Sequence, residues 1–159
     1  MTRVDARLSF EFAPEATGAV VVHMEREAAS HSGWINARPV ILPQDEPPAP
    51  GMFAIFGGSP HKVPRLTWLP GAEGRDGATG RATVGLQHAG GPHAVRHLRD
   101  LGHPVPEGWR VTQDHPRRGL VAEVPAEADH AAVLGWLIEA GLALCEVPVT
   151  GLWRADIYD

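Results

Sequence analysis

From Ala82 to Tyr158 the chain reads, in order, as strand, helix, strand, strand, helix, strand. Arg81 to His88 alternates as a strand, and Gly91-Pro92 marks a helix start, since proline at the first helical position gives up only an N–H that lacks a partner there. Ala94, Val95, Leu98 and Leu101 recur at helical spacing, and Gly102 suits the left-handed position that closes a helix. His103-Pro104-Val105-Pro106 is a loop, because the residue before each proline avoids the α region. Trp109 to Asp114 and Gly119 to Val124 follow as strands joined by His115-Pro116-Arg117-Arg118. Setting Asp114 against Gly119 puts Arg110 opposite Glu123, Val111 opposite Ala122 and Thr112 opposite Val121, with one face mainly apolar and the other mainly polar. Asp129 caps a second helix whose stripe is Val133, Leu134, Leu137 and Ile138 and whose end is Gly141. Gly151 to Tyr158 is the last strand, with Trp153, Ala155 and Ile157 on one side.

No other feature limits the possible folds as much. The order βαββαβ defines the split βαβ, or ferredoxin-like, topology, in which the first and third strands are central. The expected class is α+β: a C-terminal ferredoxin-like unit with an N-terminal, mainly β extension or a second α+β lobe.

The first half is less patterned. Arg7 to Phe12 alternates as a strand. Residues 14–29 fit a helix with Val20, Val21 and Met24 inward, or a strand, because a short apolar run does not distinguish the two. Trp34 to Leu42 reads as extended, Gln44 to Gly51 as a proline-rich loop, and Met52 to Phe56 and Val63 to Leu69 as strands around Gly57-Gly58-Ser59-Pro60. The stretch Pro70 to Gly80 is rich in glycine and polar residues and reads as a flexible connection. The expected division is 1–70 and 81–159 joined by 71–80, or one continuous domain.

Composition removes several classes of function. The formal net charge is −5 and Lys62 is the only lysine, so a basic surface for nucleic acid is disfavoured. No apolar run reaches the length of a membrane span, and the first twelve residues lack a secretory pattern. Cys145 is the only cysteine, which rules out an internal disulfide and fits a reducing cytoplasm. Abundant Ala, Gly, Pro and Arg with almost no Lys resembles the product of a GC-rich bacterial genome.

Three groups of residues can carry chemistry. His88, His93 and His97, near Asp100 and His103, are metal candidates, since histidines four apart share a helix face. That face lies opposite Val95, Leu98 and Leu101, and no HExxH pattern accompanies it, so exposed surface histidines are the favoured account and no metal is expected. The second group is the sheet face away from the helices, with Thr83, Gly85, Gln87, Arg110, Thr112, Val121, Glu123, Leu152, Arg154, Asp156 and Tyr158. Gln87, Arg110, Glu123, Arg154 and Asp156 are the ligand-binding candidates there, with the arginines as bidentate partners of an anion. Glu123 and Asp156, together with His88, are also the candidate acids or bases. The plainer account of the same face is an exposed Arg110–Glu123 pair of little energetic weight. The third group is Trp34, Asn36, Phe53, Phe56, Trp68, Trp109, Trp136 and Trp153, which suits a pocket lining but is more ordinary as core.

The open face lacks aromatics on its central strands, which argues against RNA recognition, and its polarity argues against an apolar dimeric barrel. No GxSxG elbow, Walker loop or dinucleotide fingerprint is present, and Cys145 follows Leu142-Ala143-Leu144 as an inert thiol would. The expectation is a non-catalytic α+β protein that binds a small molecule or a protein, with a homodimer as one arrangement. No cofactor, nucleic acid or membrane enters this reading. The alternative is a cofactor-independent enzyme acting on a small molecule in a pocket between the two halves.

Overall fold

In the computed structural model, which describes residues 4–46 and 62–159, the alternating segments all join one sheet. The order along the chain is β1 (Leu8–Phe12), α1 (Gly18–Ser30), β2 (Trp34–Pro39), a 3-10 turn (Pro43–Asp45), β3 (Arg65–Leu69), β4 (Ala82–Gln87), α2 (Ala94–Asp100), β5 (Arg110–His115), β6 (Gly119–Val124), α3 (His130–Ala143) and β7 (Trp153–Tyr158). The strands lie in the order β1-β7-β2-β3-β4-β6-β5, and every neighbouring pair is antiparallel. The class is α+β. Among the described residues no helix is long and apolar enough to cross a membrane.

The βαββαβ order is present, but its sheet is not the expected ferredoxin-like one. β6 lies between β4 and β5 as that topology requires, whereas β7 does not return beside β4. β2 and β3 occupy the intervening places, and β7 inserts between β1 and β2. The described strands β1, β2 and β3 therefore form no sheet of their own. Hydrophobic periodicity specifies the face a strand presents and says nothing of which strand becomes its neighbour.

Residues 70–81, read from the sequence as a flexible connection over 71–80, hold local hydrogen bonds. They extend the β3–β4 hairpin, with a Glu73–Thr79 bridge, Gly74 N–H donating to the Ala78 carbonyl at 2.8 Å and Gly80 N–H to that of Ala72 at 2.8 Å. Residues 18–30 are helical rather than extended: Val20 and Met24 are buried at helical spacing while Val22 is exposed. The strand expected at Met52 to Phe56, the glycine turn after it, and Phe53 and Phe56 lie outside the described residues.

The three helices among the described residues contribute to one apolar cluster. Val20 and Met24 of α1, Ala94 and Leu98 of α2, and Leu134 and Leu137 of α3 meet Ile35, Leu66, Val84, Leu86, Ala122 and Trp153 from the strands. Asp129 caps α3 as expected, accepting from Ala132 N–H at 2.9 Å. The helix runs past Gly141, however, and a Cβ there would lie 3.2 Å from Leu66 Cδ2 and 3.3 Å from Trp153 Cη2. Gly141 is thus a point of close helix–sheet approach and does not end the helix.

The β5–β6 register holds at Arg110–Glu123 and Val111–Ala122, then shifts between Val111 and Gln113. Thr112 is the extra residue of this bulge, so Gln113 rather than Thr112 faces Val121, and Asp114 faces Leu120. The slip turns Asp114 toward α2, where its two carboxylate oxygens accept from Ala94 N–H at 3.0 Å and Val95 N–H at 3.1 Å. The cap comes from a strand distant in sequence because His93, just before the helix, is in the left-handed region and makes no side-chain cap. Asp114→Ala is expected to cost about 1 to 2 kcal/mol, the loss of an N-terminal cap. Urea unfolding measures it, and a change below a few tenths would show that the bulge does not serve the helix.

Candidate anion-binding groove on the open sheet face

With the helices on one side, alternate residues of every strand face the other. Cross-strand pairing arranges them in rows. One runs Glu11–Arg154–Arg38 across β1, β7 and β2, and Arg65–Gln87 across β3 and β4. Extending the Ala37–Leu66 pairing by one residue sets Arg38 beside Arg65, which joins the two parts. The next row runs Ser9–Asp156–Asn36–Thr67–Gly85–Val121.

Over the first five strands of the order, from β1 to β4, these rows form a groove of about 570 Å³. Arg38, Arg65 and Arg154 line it together with Asn36, Gln87, Asp156, Ser9 and Tyr158. Asn36 is buried at 6% exposure and its amide oxygen accepts from the Thr67 hydroxyl at 2.8 Å. Asp156 is held by the Ser9 hydroxyl at 2.5 Å and by Arg154 Nε at 3.2 Å. Asp5 also lines the groove and is likewise engaged within the chain. Among the described residues neither Arg38 nor Arg65 makes an ion pair, although Glu11 and Glu46 line an adjoining depression with Arg38. Arg38 stands directly opposite Arg154, an arrangement of like charges that costs stability in a bare sheet. At one end of the face Trp34 and Tyr158 stack with ring centroids 4.7 Å apart and planes 5° from parallel.

The five ligand-binding candidates divide between two places. Gln87, Arg154 and Asp156 line the groove. Arg110 and Glu123 lie near the opposite edge of the sheet, paired with each other across β5 and β6. The Glu123 carboxylate also lies 3.8 Å from Arg81 Nε, and Arg81 in turn donates to the Gly108 carbonyl, so this cluster ties the β5 edge to the loop before it.

His88 is buried at 1% exposure beneath the sheet, with Nδ1 accepting from Gly90 N–H at 3.0 Å. His93 precedes α2 rather than lying in it, and His97 is exposed on its surface. Among the described residues no three histidine, cysteine or acidic side chains gather as metal ligands. Cys145 donates to the Val147 carbonyl at 3.3 Å. Of the tryptophans, Trp68 and Trp153 are core, while Trp109 and Trp136 pack edge to face at 5.0 Å, Trp136 Nε1 donating to the Pro104 carbonyl at 2.9 Å. Only Trp34 reaches the open face.

Arg38, Arg65 and Ser9 were not among the sequence candidates. The alternation Trp34, Asn36, Arg38 and Arg65, Thr67, Leu69 was the available signal. It marks a polar side of two strands, but not that they join the face holding Arg154 and Asp156. No protein-family model, curated protein or solved structure matches this chain.

Proposed function

We propose that this chain is a non-catalytic binding protein for a small anionic molecule held by Arg38, Arg65 and Arg154. The observation that carries the reading is the arginine row across three adjacent strands, two of whose members have no ion-pair partner among the described residues. Guanidinium groups match carboxylate and phosphate oxygens in bidentate pairs, and an anion between Arg38 and Arg154 offsets their repulsion. Asn36 and Gln87 add neutral polar groups that orient a bound molecule. The engagement of Asp156 by Ser9 and Arg154, of Glu123 by two arginines and of His88 in the interior favours binding over acid–base catalysis. Composition and the single cysteine support a bacterial, cytoplasmic setting. In the β4-α2-β5-β6 portion β6 lies between β4 and β5, which supports a split βαβ reading of that segment alone.

Calorimetric titration of the full chain with inorganic pyrophosphate tests the reading. Saturable binding that weakens as salt is raised is the expected result. If neither pyrophosphate nor succinate binds at low ionic strength, the anion-binding assignment is wrong.

A further inference from the structure

Beside the groove, over the middle of the open face, lies a second depression of about 380 Å³ with Gly85 in its floor. Its rim includes Trp34, Leu69 and Val121, and it shares Asn36, Arg65 and Gln87 with the arginine groove. The two are therefore continuous, and one small molecule can occupy both. Gly85 on β4 is two strands across and one row along from Arg38 on β2, about 12 Å at the usual strand spacing and rise, within the reach of an arginine side chain and a short ligand.

Gly85 is not required by the fold. Among the described residues a Cβ at this position would meet nothing nearer than Thr67 Cβ at 3.7 Å and the Leu120 carbonyl oxygen at 4.0 Å, both ordinary contacts, and its φ is not in the left-handed region. Glycine inside a strand is costly through its backbone freedom, and its use there often marks close approach of a ligand to the backbone. A side chain at 85 would instead fill the trough. Gln87 supplies a second observation. Its Oε1 is buried and, among the described residues, has no hydrogen-bond partner, at the junction of the two depressions.

We infer that the anion bound by the arginine row carries a planar, largely apolar ring that lies in the trough over Gly85. The inference rests on the anion-binding reading and adds the ligand class. The flat floor of β-sheet backbone suits a ring better than a branched chain. Leu69 and Val121 supply apolar contact at its edges, and Arg65 joins the ring site to the charged one.

Comparison of inorganic phosphate with 2-naphthyl phosphate, by titration into the full chain, separates the two claims. The expected result is that the naphthyl ester binds at least about tenfold more tightly than phosphate, since even partial burial of such a ring is worth that much. In Gly85→Val the ratio of the two affinities should fall to near one, and in Gly85→Ala to an intermediate value. Equal affinities in the wild-type chain, or a ratio unchanged in both variants, would overturn the ring inference and leave the anion site standing. Failure of both probes to bind the wild-type chain would overturn the anion reading itself, and the ring inference with it.

Discussion

The Arg38→Ala, Arg65→Ala double variant is expected to bind pyrophosphate at least about a hundredfold more weakly than the wild-type chain while unfolding at no lower a temperature. A hydrogen bond to a charged group contributes about 1.5 to 3 kcal/mol, and each 1.4 kcal/mol is about tenfold in affinity, so losing two such partners gives about two decades or more. Stability follows a different accounting. Both side chains are exposed on the open face, and neither makes an ion pair among the described residues. Surface changes of this kind usually lie within about 0.5 kcal/mol, and removing Arg38 also relieves its repulsion with Arg154. Arg154→Ala is a poorer test, because it also strips Asp156 of a partner. Calorimetry and a thermal melt on the same preparation read both quantities. Unchanged affinity would remove the arginine row from the site, and a large fall in melting temperature would reassign the row to the fold.

How legible the fold was in the sequence depended on whether each feature was local. Asp129 with the stripe Val133, Leu134, Leu137 and Ile138 specified α3 and its cap, since both lie within a few residues of one another. Arg110 opposite Glu123 followed from alternation about a short loop. The bulge at Thr112 did not, because its cause is the N-terminus of α2, which Asp114 reaches only in three dimensions. The insertion of β2 and β3 between β7 and β4 was invisible for a related reason: an antiparallel edge accepts many neighbours of like polarity, and nothing in Trp153 to Tyr158 names Trp34 to Pro39 as the partner. The site suffered the same loss. Arg154, Asp156 and Gln87, which line the groove, were among the candidates because their own strands were read correctly, while Arg38 and Arg65 were not named because the first half was not known to share their sheet. Trp34, weighed only as core or pocket wall, stacks on Tyr158 across that unforeseen pairing.

Arg7→Ala is expected to destabilise the chain by about 3 kcal/mol, the usual order for removing one partner of a buried ion pair. The Glu27 side chain on α1 is 5% exposed, and Arg7 Nη2 donates to its Oε1 at 2.7 Å. The carboxylate has little room to find a replacement. Gly33 packs against it so closely that a Cβ there would lie 2.7 Å from Glu27 Oε2 and 2.4 Å from the Tyr158 carbonyl oxygen, at a φ of +74°. Arg7 also contacts Asp159 at 2.6 Å, but Asp159 is mostly exposed, so Asp159→Ala should change stability by less than about 1 kcal/mol. The charge left behind, rather than the bond removed, is the source of the large effect. The double variant Arg7→Ala, Glu27→Met should therefore recover most of the loss, since an apolar side chain of similar size leaves no buried charge unpaired. Urea unfolding of the two single variants and the double closes the cycle. If the double is no more stable than Arg7→Ala alone, the unpaired Glu27 charge is not the source of the loss.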